Sequence, residues 1–134
     1  MATLKIGDLS VGDWVEYNGN PYFISSIDES GIVKARNGNG TLPRYLEADI
    51  AQFSPRPITV DVLLDNGLVE IDLQAFGRST TTRRFEHGQL GIVANAEGTF
   101  SVFNVGDIGV IDVMYLHELQ RAVRVLNLDK EINL

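Results

Sequence analysis

The chain has 134 residues, of which 44% are hydrophobic and 22% charged, a balance that excludes a disordered polypeptide and allows a buried core. Eighteen acidic residues face eleven basic ones, a formal charge of −7 that works against sequence-independent binding to nucleic-acid phosphates. There is no cysteine, so disulfides and thiolate metal sites are excluded and stability must come from packing.

The opening M-A-T-L-K-I-G-D-L-S lacks the apolar stretch of a secretory signal, and no apolar run approaches a membrane span. A cytoplasmic protein without a membrane partner is expected. Val11 to Asp28 then reads as a β-hairpin: Asp13 to Tyr17 alternates, Asn18-Gly19 is a strong two-residue turn signal, and Tyr22 to Ile27 is rich in β-forming residues. Glu29-Ser30-Gly31 is a second turn and Ile32 to Arg36 a third strand. Asn37-Gly38-Asn39-Gly40 breaks the ladder because both residue types tolerate positive φ. Leu42 to Leu46 and Gln52 to Ser54 are predicted strands, with a helical turn over Glu47 to Ala51. Five short strands joined by tight turns suggest a small SH3-like barrel over residues 1–57.

Ser54-Pro55-Arg56-Pro57 reads as a linker, since its two prolines fix an extended path and cannot continue a central strand. Thr59 is placed to cap a short helix over Val60 to Asn66, with Asp61 in its first turn, Gly67 as its stop, and Val60, Leu63 and Leu64 on one side. Val69 to Phe76, Gly88 to Ala94 and Thr99 to Val105 read as an antiparallel meander, with Asn95 to Gly98 as a hairpin turn. The last helix is predicted from Val113 to Asn127 with Asp112 as its N-cap. Leu116, Leu119, Ala122, Val123 and Leu126 make its apolar stripe, and His117, Gln120, Arg121 and Arg124 fall opposite. Ile132 to Leu134 alternates like a final strand. The fold expectation is therefore α+β, mainly β: an SH3-like barrel over 1–57 packed as one compact unit with an α+β lobe over 58–134. The first segment carries seven acids and five bases, the second eleven and six.

The search for catalytic groups is negative, and neither enzyme activity, cofactor nor metal is expected. His87 and His117 each neighbour a glutamate, but position 121 is arginine where a helical zinc motif needs a second histidine. Gly38-Asn39-Gly40 lacks the lysine and following helix of a phosphate cradle. Two clusters have binding chemistry. Gly77 to Arg84 holds Arg78, Arg83 and Arg84 among four hydroxyls, a donor set suited to phosphate or carboxylate groups, and equally a solvated loop between strands. Trp14, Tyr17 and Tyr22, with Phe23, form an aromatic set able to line a ligand platform. By strand alternation Tyr17 shares a face with Tyr22, and Trp14 with Phe23, so one pair belongs to the core.

Leu9 to Ile27 resembles the opening hairpin of the KOW-type barrel of bacterial elongation factor P. Its modified-lysine function does not transfer, because the corresponding loop, Asn37 to Thr41, contains no lysine. More of the chain resembles short uncharacterised proteins of gut anaerobes and their prophages. Those share an I/L-x-x-G-D/N-x-V opening, a P-x-P-I-T segment leading to L-L-x-N-G-L/F, and a late Y-V/L-H-E-L-Q helix, here Leu9 to Val15, Pro55 to Leu68, and Tyr115 to Gln120. That resemblance implies a mobile-element context and a barrel followed by an α+β remainder; it brings no activity. The expected function is a non-enzymatic binding or adaptor protein contacting a protein or an anionic ligand. The alternative is a nucleic-acid or translation-associated module that uses the barrel face.

Overall fold

The computed structural model describes residues 4–37, 44–71, 83–95, 97–107, 109–128 and 130–133. The fold is mainly β, with two antiparallel five-stranded sheets and two α-helices among the described residues. Its contacts divide into two compact units, Met1–Pro57 and Ile58–Asn133.

In the first unit, β1 (Trp14–Tyr17) and β2 (Asn20–Ile27) form the expected hairpin. Its turn residues Asn18 and Gly19 have φ of 52° and 79°, the paired positive values of a type I′ turn that matches strand twist. β3 (Ile32–Arg36), β4 (Tyr45–Asp49), a 3₁₀ turn (Ile50–Gln52) and β5 (Ser54–Pro55) follow, giving the order β4-β3-β2-β1-β5. The sheet does not close: β4 and β5 are its two edges and are not paired with each other. Val15, Ile24, Val33, Ala35, Ile50 and Phe53 are buried together with Leu4 and Leu9.

Two readings of this region are corrected. The fourth strand is Tyr45–Asp49, where a helical turn was expected from Glu47, because Leu46 and Ala48 supply the alternating inner face opposite Ala35 and Val33. Helical geometry starts only at Ile50, where the Asp49 carboxylate accepts from the Ala51 amide at 2.9 Å and Gln52 Oε1 accepts from the Asp49 amide at 3.1 Å. Ser54–Pro55, read as linker, is an edge strand on β1; an edge tolerates proline because one side of its ladder needs no N–H.

The second unit contains α1 (Val60–Asp65), β6 (Val69–Ile71), β7 (Arg83–His87), β8 (Leu90–Ala94), β9 (Phe100–Asn104), β10 (Val110–Val113) and α2 (Leu116–Val125). The sheet order is β10-β9-β8-β7-β6. Thr59 Oγ1 accepts from the Val62 amide at 3.3 Å, and Gly67 at φ 84° ends α1. Phe85, Leu90, Ile92, Val102, Leu116 and Leu119 are almost completely buried. Val62 rather than Leu64 is buried on α1, and Leu64 is exposed.

β7 and β10 were not anticipated. R-R-F-E-H has few strand-forming residues, yet Phe85 at its centre is fully buried and each neighbour pairs with β8. Val113, predicted to begin the last helix, closes β10 opposite Phe100. Asp112 is consequently not a cap; it accepts from Ser101 Oγ at 2.8 Å across the sheet. α2 instead starts at Leu116, where Glu118 Oε1 accepts from both the Met114 and Tyr115 amides at 3.0 Å. His117 and Gln120, expected on the polar side, are buried, which widens the inner face of α2. Lys130 to Asn133 form no strand; side-chain hydrogen bonds hold this segment in place of a ladder.

Candidate functional site

Strand alternation sorts the second sheet into an inner and an outer face. The inner row is Glu70, Phe85, Ile92, Val102 and Ile111, with the buried Phe85, Ile92 and Val102 at its centre and the exposed Glu70 and half-buried Ile111 on the edge strands. On the outer face two rows cross all five strands: Val69, Glu86, Gly91, Phe103 and Val110, then Ile71, Arg84, Val93, Ser101 and Asp112. Gly91 is a seat for its cross-strand neighbour, since a Cβ there would overlap the Phe103 ring. The Arg84 guanidinium lies 4.9 Å from the centroid of that ring and its Nε donates to Glu86 Oε2 at 2.6 Å. Val69 and Val110 are both more than half exposed at opposite edges.

Arg83 takes the other side of β7. It grips Glu70 through two 2.7 Å hydrogen bonds and lies 5.5 Å from the Phe85 ring. The Arg83 hydrogen bond holds the Glu70 carboxyl below the ordinary glutamate value, and the same bond raises Arg83. Both arginines are therefore satisfied by carboxylates of the chain itself. Arg78, with most of the predicted hydroxyl loop, lies outside the described residues.

The aromatic set is divided between the faces of the first sheet. Tyr17 and Tyr22 pack against the core beside Val15, their rings 6.2 Å apart, and Tyr17 also meets Phe53 at 5.5 Å. Trp14 and Phe23 lie opposite, edge to face at 5.4 Å, at one end of a row that continues through Arg36 to Tyr45. Arg36 lies 4.5 Å from the Phe23 ring centroid. Exposure runs from 4% at Trp14 to 74% at Tyr45, so the accessible aromatic surface sits at the Tyr45 end. Sequence reading missed Arg36 and Tyr45, since only the strand register sets Arg36 beside Phe23 and Tyr45 beside Arg36.

The histidines occupy different settings. His117 is buried on α2 with its ring stacked on Tyr115, whereas His87 is exposed beside Gly67 and lines a shallow groove with Leu90, Leu128 and Lys130. Among the described residues no three His, Cys, Asp or Glu side chains converge as metal ligands. No described helix is long and apolar enough to cross a membrane. No family model matches the chain, and no curated protein or solved structure shows a significant match to it.

Proposed function

We propose that this chain is a non-enzymatic binding or adaptor protein of a phage or other mobile element, cytoplasmic, and that its partner is a protein met by the outer face of the β6–β10 sheet. The observation that carries this reading is the Arg84–Glu86 pair laid on Phe103 between exposed Val69 and Val110. A bare anion would compete with Glu70 for Arg83 and with Glu86 for Arg84, whereas a protein surface meets mixed charge and apolar edges together. Arg78 extends the same reading toward an anionic group on the ligand. The test is capture from native-host lysate by immobilised wild type and by two variants, Val69→Glu/Val110→Glu and Arg78→Ala/Arg83→Ala/Arg84→Ala, each shown to be folded. A discrete protein retained by wild type and lost from the first variant is expected; equal retention by all three removes the face.

We also read residues 1–57 as an SH3-like small barrel and 58–134 as the α+β lobe. β5 returning to β1 and the 3₁₀ turn between β4 and β5 support the barrel reading. One observation favours the alternative nucleic-acid function, the in-register row of half-buried Phe23 and Arg36 leading to the exposed Tyr45 ring, because aromatic and guanidinium planes stack on bases. It requires salt-dependent mobility shifts of single-stranded RNA or DNA that Tyr45→Ala weakens. Absence of any shift at low ionic strength eliminates it.

A further inference from the structure

The segment after α2 is held in an unusual way. Asn66, the C-cap of α1, uses both polar atoms of its side-chain amide on one residue: Nδ2 donates to the Asn133 carbonyl at 2.7 Å, and Oδ1 accepts from the Asn133 amide at 2.8 Å. Its orientation is set by a second donation from Nδ2 to the Val62 carbonyl at 2.8 Å. One residue earlier, buried Gln120 on α2 donates from Nε2 to the Ile132 carbonyl at 3.0 Å. All three bonds to the segment go to its backbone. Among its described residues only Ile132, at 2% exposure, is buried deeply, while Glu131 and Asn133 are exposed.

That pattern is how an extended peptide is read by a protein surface: main-chain hydrogen bonds give affinity and one pocket selects a side chain. We propose that Asn66, Gln120 and the Ile132 pocket form a peptide-binding groove filled in cis by the chain's own Glu131–Asn133. In trans it takes an extended partner segment with an aliphatic residue followed by a residue whose N–H and C=O are both free. The flanking side chains are not read, since those of the resident segment are exposed. The cis segment competes at an effective concentration on the order of millimolar, so a partner binds well only when it is released or outmatched. This groove is built on helices rather than on the outer sheet face, so it stands or falls separately from the function proposed above.

The test uses the full chain and a fluorescein-labelled peptide with the sequence of residues 128–134. Ile132→Asp expels the resident segment, and this variant is expected to bind the peptide at least ten-fold tighter than wild type. Adding Gln120→Ala should reduce that binding ten-fold again. Equal binding by wild type and Ile132→Asp, or no loss on adding Gln120→Ala, overturns the groove. A second variant, with a specific protease site inserted after Leu128 and cut only once the protein has folded, covers the case in which Ile132→Asp does not fold. Exchange of the severed segment for labelled peptide, with retention of the native circular dichroism spectrum, is expected. Loss of the fold on cutting, or failure to exchange, shows instead that the segment is a fixed part of the core and overturns the proposal.

Discussion

At the residue scale, small groups decide what larger ones do. Gly91 gives Phe103 its place on the outer face, and Phe103 in turn carries Arg84. Gly91→Ala is expected to lift the ring and to cost about 1 kcal/mol in urea denaturation, and most of that cost should vanish in a Phe103→Ala background, where nothing is displaced. A full penalty in that background would place the clash elsewhere. Asp28 shows how a single carboxylate organises a turn: its Oδ1 accepts from Ser30 Oγ at 2.6 Å, the Ser30 amide at 2.9 Å and the Ile32 amide at 3.0 Å. These bonds, that from the Ser30 hydroxyl first, hold the carboxyl below its ordinary value. A folded value below the unfolded one adds stability above the unfolded pKa, and this is lost as pH falls through the folded pKa. Carbon-detected NMR titration should place the Asp28 midpoint lower in the folded than in the unfolded chain, and Asp28→Asn should flatten part of the acid limb of stability. Neither interaction was legible beforehand. Glycine and aspartate marked turns, but the partner of Gly91 lies across a register that no local pattern reveals.

At the scale of elements, the parts with local causes were readable. Asn18-Gly19 requires positive φ twice and so dictated the first hairpin, and Thr59 with Asp61 and Gly67 dictated α1. Removing the acceptor by Thr59→Ala should cost about 1 kcal/mol, seen as a lower urea midpoint. α2 behaves differently, because its start is set by Glu118 reaching back to Met114 and Tyr115 rather than by the residue expected to cap it. Glu118→Ala is expected to destabilise by about 1 kcal/mol, whereas Asp112→Ala should leave the helix intact and act only on the bond to Ser101. The reverse order of these two effects would place the start of the helix at Val113, capped by Asp112. β7 escaped notice for a physical reason: its charged residues have weak strand preference, and β8 alongside supplies the pairing and the buried site for Phe85.

At the scale of the molecule, each contact unit has its own buried set, Val15, Ile24 and Val33 in one, Phe85, Ile92 and Leu119 in the other. Ile24→Ala and Leu119→Ala should each cost about 2–5 kcal/mol, measured by urea denaturation. A cost below about 0.5 kcal/mol at either position would show that its side chain is not held in a packed core. The candidate sites divide along the same line between local and long-range causes. Arg83, Arg84 and the aromatic residues were legible as chemistry, but not that Glu70 and Glu86 close both arginines, nor that Trp14 is buried while Tyr45 carries the exposed ring. The sequence by itself determined what depends on a few neighbouring residues: the tight turns, the caps of α1, the alternation of β1 to β3 and the apolar stripe of α2. Only the tertiary structure decided the strand register, the two arginine pairs, the burial of His117 and Gln120, and the clamp on Asn133. Each of those is a bond or contact between residues distant in the chain, whose free energy exists only once the backbone has brought them together.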